Sequence, residues 1–182
     1  MSADKKHPIA WGITGAGHFL PECVALISEL GEVEVFLSRA ADEVLRMYCL
    51  EEDVRRGACA VVQEGLASAP VVGRFARPGR YRALVVAPAT SNSVAKFICG
   101  ISDSLVTNLF AQAGKNRVPV VVLPTDVARE MDTYTPGGRT VKVYPRTVDL
   151  ENTARLREFP NVNVVEDVEE LRCLLKGLSI SS

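Results

Sequence analysis

Three stretches of this chain, residues 9–14, 81–87 and 118–123, are apolar at nearly every position rather than at every second one. A strand with one wet face alternates. A strand that does not alternate is covered on both faces, as in a parallel sheet between two helical layers. Between the runs, apolar residues return at helical spacing: Leu20, Val24, Ile27 and Leu30 until Gly31, and Leu105, Val106, Leu109, Phe110 and Ala113 further on. Val33, Val35 and Leu37 predict a strand ending at Ser38, with a helix through Val44, Leu45 and Tyr48 after it. Strands are also expected over 141–144 and 162–165, and helices near 150–158 and 167–177. This alternation predicts an α/β fold: a single domain with a three-layer, doubly wound, mostly parallel, Rossmann-like sheet. It is expected to span residues 1–182, with 1–7 and 178–182 as flexible tails. Residues 51–80, broken by Pro70, Pro78 and glycine turns, carry no functional reading.

The bulk numbers remove several function classes. At 182 residues and 47% hydrophobic, the chain suits one substantial core, and a net charge of −1 offers no footprint for nucleic acid. No run of eighteen apolar residues exists, and the charged N-terminus, Met1 to Lys6, has no apolar core, so neither a membrane span nor a signal peptide is expected. A cytoplasmic protein is the expectation. The five cysteines (Cys23, Cys49, Cys59, Cys99, Cys173) are odd in number and lack metal-ligand spacing, which fits reduced thiols and no zinc or iron–sulfur centre.

In a doubly wound sheet the loops after successive parallel strands meet at one edge, where ligands bind. Gly15-Ala16-Gly17 follows the first strand, Ser38 the second, and Pro88-Ala89-Thr90-Ser91-Asn92-Ser93 the run at 81–87. The last segment offers hydroxyls, one amide and a helix N-terminus, a combination suited to a phosphate. These loops predict a nucleotide-like cofactor. Gly12-x-x-Gly15-x-Gly17 is not the dinucleotide spacing, and Ser38-Arg39 stands where an NAD site carries an acid. Arg39 could grip the extra phosphate of NADP, which leaves a nicotinamide enzyme as one alternative.

The segment 88–93 resembles the Pro-Ala-Ser-Ala-Asn-Thr signature of the superfamily of FMN-binding cysteine decarboxylases and flavin prenyltransferases. The continuation Val94-Ala95-Lys96, then Gly100-Ile101-Ser102-Asp103-Ser104-Leu105-Val106-Thr107-Asn108, is similar to the archaeal-type flavoproteins, which include the flavin-dependent dihydromethanopterin reductases. Gly15 to Gly17, Ser38 and Arg146-x-x-Asp149-x-x-Asn152 fit the same branch. The resemblance implies FMN, contacted by Gly15, Ala16, Gly17, Ser38, Pro88, Ala89, Thr90, Ser91, Asn92 and Ser93, with His18 flanking it. Asp103, expected on the helix face opposite the apolar stripe, would serve a subunit contact or a neighbour's flavin.

Departures from the relatives narrow the chemistry. The decarboxylases carry a histidine and Pro-x-Met-Asn after the next strand; here the only histidines are His7 and His18, and the strand ends in Pro124-Thr125-Asp126-Val127. The prenyltransferases carry arginine and glutamate where Thr125 and Asp126 stand. Redox use of the flavin is what remains, and the resemblance to the reductases implies hydride transfer from reduced FMN to dihydromethanopterin, or a similar dihydropterin, giving the tetrahydro form. The resemblance singles out no catalytic group. Lys96 and Asp126 are candidate proton sources, Asp126 could pair with the pterin, and Tyr134, in the Pro- and Gly-rich stretch 133–139, could belong to a lid over the substrate. Electrons would come from an external ferredoxin, flavin reductase or reduced pyridine nucleotide. The resemblance also implies a homo-oligomer built from trimers. Alternatives are a flavin-binding electron carrier and, further off, a flavin-dependent decarboxylase.

Overall fold

The computed structural model describes residues 7–65 and 69–178, so the expected tails fall outside the described residues except for His7 and Leu178. In chain order the elements are β1 (Ile9–Ile13), α1 (Leu20–Leu30), β2 (Val33–Leu37), α2 (Arg39–Met47), α3 (Glu51–Gly57) and β3 (Ala60–Gln63). A short helix, α4 (Ala69–Val72), runs into a 3-10 turn at Gly73–Ala76, followed by β4 (Ala83–Ala89), α5 (Ser91–Cys99), α6 (Leu105–Lys115) and β5 (Val120–Pro124). The chain ends with β6 (Met131–Tyr134), β7 (Thr140–Val143), α7 (Thr147–Leu156), β8 (Val162–Val164) and α8 (Val168–Leu178).

Six strands form one parallel sheet in the order β3-β2-β1-β4-β5-β8. Every residue of β1, β2, β4 and β5 is buried, and strand alternation divides their side chains between two cores. Ile9, Trp11, Ile13, Val85 and Val121 pack against α1 and α8; Ala10, Phe36, Leu84, Val86 and Val122 pack against α5 and α6. The order reverses between β1 and β4, which makes their carboxyl ends the switch point where an open α/β sheet has its crevice. No helix among the described residues is long and apolar enough to cross a membrane.

The structure differs from the sequence expectations at three places. β4 continues through Pro88 and Ala89, and α5 opens at Ser91, so only Thr90 separates them. In the unread segment, α3 and β3 appear; β3 is an edge strand whose residues are exposed or half-buried, and so it has no apolar run to betray it. Residues 141–144 do not join the main sheet. Most of that stretch lies in β7, which pairs antiparallel with β6, and the expected lid stretch is the tip of this hairpin. The tip is closed by the Thr135 amide on the Arg139 carbonyl (2.9 Å) and the Gly138 amide on the Thr135 carbonyl (2.8 Å).

One charge lies inside the sheet. Glu34, in β2, is buried and accepts hydrogen bonds from Arg74, from Arg80 Nη2 (2.6 Å) and from the Tyr81 hydroxyl (2.8 Å). Burial, and then this carboxylate, push the Tyr81 phenol up to about 12. The carboxylate thereby ties the 3-10 turn and the start of β4 to the sheet. Glu34→Ala is expected to cost about 2 kcal/mol of stability in urea denaturation, below the usual range for a broken buried pair because the arginines keep contact with water.

Candidate functional site

At the switch point the last three residues of β4 leave the regular ladder: β1 pairing stops at Val86, and the register with β5 shifts between Val86 and Ala89. The Ala87–Pro88 peptide is cis. Donors on the neighbouring strands' ends, side chain and main chain, then take up the carbonyls. Trp11 Nε1 donates to Ala87 (2.6 Å), the Thr14 hydroxyl to Pro88 (2.9 Å), and the Thr125 amide to Ala89 (2.9 Å). Thr14 Oγ1 also accepts from the Thr90 amide (2.8 Å), so one threonine joins the end of β1 to the entry of α5.

Two glycines set how closely the elements approach. A Cβ on Gly15 would stand 2.5 Å from the Ala40 Cβ, and one on Gly17 would stand 2.7 Å from the Tyr48 ring carbon Cζ. α2 and Tyr48 therefore lie directly on the glycine loop. Ser38 caps α2 by accepting from the Ala41 amide (3.1 Å), and Thr90 caps α5 by accepting from the Ser93 amide (3.2 Å).

Around this loop lie two adjoining clefts of about 420 and 410 Å³ that share Gly15 and Thr90. The first is walled by His18, Tyr48, Ser91, Thr125 and Asp126 on the sheet side, and by Met131, Tyr134, Val141 and Val143 of the hairpin. The second is lined by Ser38, Arg39, Glu64, Asn92, Ser93, Lys96 and Ser104. One end is thus apolar and roofed by a hairpin; the other is polar and faces helix N-termini. The Tyr48 hydroxyl donates to the Tyr134 carbonyl (2.7 Å), which ties the hairpin to α2 across the first cleft.

Most residues expected from the sequence converge here. Gly15, Ala16, Gly17, His18, Thr90 and Ser91 line the first cleft with Asp126 and Tyr134; Ser38, Asn92 and Ser93 line the second. Pro88 and Ala89 do not: they are buried in β4 and shape the site through their carbonyls. Asp103 precedes α6 instead of lying on its face, and its carboxylate holds Lys96 Nζ at 2.8 and 2.9 Å outside both sets of lining residues. Lys96 is in the second turn of α5, at the polar end, while Asp126 is at the apolar end, so the two expected proton sources face different clefts. Sequence reasoning missed Thr14, Tyr48, Glu64 and the apolar hairpin residues as site residues. A polar residue closing an apolar strand was the available signal for Thr14; Tyr48 and Glu64 had none.

Charge is concentrated around Asp126. Burial lowers the His18 pKa, with Glu22 and Asp126 opposing, and Asp126 also acts on Arg146. Arg146 forks onto Asp149 through Nε and Nη2, both at 2.8 Å, and this pairing holds the Asp149 carboxyl below its usual value. The Thr153 hydroxyl donates to the Asp126 carbonyl (3.2 Å), so α7 braces the Asp126 loop. Among the described residues no cluster of three His, Cys, Asp or Glu side chains could hold a metal.

The profile of the family described as Flavoprotein matches residues 1–180. The chain belongs to the Flavoprotein family. This flavoprotein is 36% identical over 179 residues to an uncharacterized protein of Methanocaldococcus jannaschii, covering 94% of this chain and 96% of the relative. It is 49% identical over 132 residues to the dihydromethanopterin reductase (acceptor) of Methanosarcina mazei, an alignment spanning 65% of this chain and 55% of that enzyme. The crystal structure of Burkholderia xenovorans DmrB in complex with FMN, described as a cubic protein cage for redox transfer, superposes with a TM-score of 0.86 at 37% identity and 98% coverage of both chains. The flavoprotein thus spans about half the length of the Methanosarcina reductase and nearly all of the other two.

Two outcomes follow from this geometry. The unfolded chain takes a proton on His18 near its ordinary value of 6.5 while the native ring resists it, so stability falls as pH drops below that value. His18→Gln is expected to flatten this fall in urea denaturation series run from neutral to mildly acidic pH. Tyr48→Phe is expected to loosen the hairpin by about 1 kcal/mol, read as faster amide exchange around Tyr134 with unchanged exchange in the central strands.

Proposed function

We propose that this flavoprotein is an FMN-dependent reductase that converts dihydromethanopterin, or a similar dihydropterin, to the tetrahydro form with electrons from an external donor. The observation that carries the reading is the two-ended cleft at the switch point. A molecule with a phosphate at one end and a flat ring at the other matches it. The polar end has the N-termini of α2 and α5 and the hydroxyls of Ser38 and Ser93; the apolar end has the hairpin wall. FMN fits these residues, and the glycine loop, where a Cβ would meet Ala40 or Tyr48, keeps its backbone open to close approach.

When bound, FMN supplies the reducing equivalent, and the protein orients, shields and manages protons. Ser38, Arg39 and the first amides of α5 hold the phosphate end. Met131, Val141, Val143 and Tyr134 exclude water above the ring and leave room for a flat substrate. Asp126, still able to accept from ring N–H or amino groups, orients the pterin, while His18, kept neutral, donates or accepts one hydrogen bond beside it. Lys96, bound to Asp103, lines the polar end, away from the cleft that would take the substrate. The cofactor domain runs the length of the chain, and the protein assembles as a homo-oligomer built from trimers. The exposed Tyr144 and Val148 fit such contacts. With no iron–sulfur spacing among its cysteines, the chain draws on a ferredoxin, a flavin reductase or a reduced pyridine nucleotide.

The test is anaerobic. The purified protein is expected to be yellow with bound FMN, and adding dihydropterin to the photoreduced protein should reoxidise the flavin at a catalytic rate. Reoxidation by redox proteins alone would make it an electron carrier instead. Gly15→Ala, which drives a methyl into Ala40, is expected to weaken FMN binding by about tenfold or more while the circular dichroism spectrum stays native.

A further inference from the structure

Glu64 lies in the segment whose sequence carried no functional reading, yet the fold brings its carboxylate into the polar end of the cleft. It directly follows β3, its amide bonds the carbonyl of Leu37 at the end of β2 (2.9 Å), and its two carboxylate oxygens reach different helices. Oε2 accepts from the Arg39 amide (2.9 Å) and Oε1 from the Leu105 amide (2.7 Å). These are the first residues of α2 and α6, and those helices pack on opposite faces of the sheet. One fixed negative charge therefore bridges two positive helix ends over the rim of the sheet.

The cap side chains satisfy the third amide of each helix: Ser38 Oγ takes Ala41, and Ser104 Oγ takes Thr107 (3.3 Å). α5 is different. Thr90 takes its third amide, but among the described residues no side chain bonds the first two, those of Ser91 and Asn92. Of the three helix starts at this end, one is open to an anion and two already share one. Lys96 is spent on Asp103, which leaves Arg39 as the cation able to answer a bound phosphate.

We propose that Glu64 sets the length of the cofactor: its carboxylate stands where a second phosphate would go, so the cleft accepts a flavin mononucleotide and rejects a dinucleotide. This rests on the flavin reading of the cleft. A diphosphate would bring further charge against a carboxylate already seated on the Arg39 and Leu105 amides, and like charges repel. The same arrangement works against NADP, since the carboxylate that would repel its phosphates sits on the backbone of Arg39, the residue that would have to bind them.

Fluorescence titration with FMN and FAD on wild type, Glu64→Gln and Glu64→Ala tests the proposal. Wild type is expected to favour FMN by about a hundredfold, and both variants to narrow that ratio by about tenfold, chiefly through tighter FAD binding. An unchanged ratio in variants that still bind FMN overturns the proposal, as does a wild type that binds FAD as tightly as FMN. A wild type that takes neither flavin removes the flavin reading, and the proposal with it. Glu64→Gln keeps the side chain's volume and an acceptor oxygen, so it guards against simple misfolding. A second measurement needs no variant: orthophosphate and pyrophosphate compete against bound FMN on wild type. Pyrophosphate is expected to displace FMN no better than orthophosphate, and displacement about tenfold better would overturn the idea.

Discussion

Thr14, the residue after β1, carries a hydroxyl that donates to the Pro88 carbonyl and accepts from the Thr90 amide, and the rest of the site is built outward from that joint. A parallel sheet pairs strands by backbone ladders, yet here β4 leaves its ladder just where the crevice opens. Its buried, off-ladder carbonyls would be costly without partners, and Trp11, Thr14 and Thr125 supply them from the two flanking strands. The joint keeps the N-terminus of α5 beside the glycine loop without any residue of α5 having to reach across. Replacing Thr14 by an apolar residue would leave the Pro88 carbonyl and the Thr90 amide each short of a bond.

From this joint the cleft extends in two directions with opposite physics. Toward α2 and α6 it gathers helix ends, hydroxyls and the bridging Glu64, a place where charge is expected and counted. Toward the hairpin it offers apolar side chains over His18 and Asp126, where a flat ring loses water and gains contacts. The hairpin belongs to neither core. It is held to the body by the Tyr48 hydroxyl, among other contacts, and by an Asp126 loop that α7 braces through Thr153.

Much of this was legible in the chain itself. Apolar runs without alternation announced the parallel sheet, and the small polar residues after them announced the ligand edge; Gly15, Ser38, Thr90 and Asn92 all arrive at the cleft. Pro88 and Ala89 line neither cleft because a motif contiguous in sequence need not be contiguous in exposure: the first two positions finish a strand. The hairpin stayed hidden because its arms are short and mostly exposed, so their pattern matches no buried strand. Asp103 was placed on a helix face that begins two residues later.

Local order of residue types determined which strands are buried on both faces, where most of the long helices lie, and that hydroxyls and glycines crowd one rim; all of these depend on neighbours within a few positions. The pairing of Glu64 with Arg39 and Leu105, of Tyr48 with Tyr134, and of Glu34 with Arg74 and Arg80 joins residues 25 to 86 positions apart. Such contacts leave no periodicity to read, because a hydrogen bond depends on where two atoms end up in space. Only the assembled sheet, with its helices laid on both faces, decided that a glutamate just after an edge strand would stand at the polar end of the cleft.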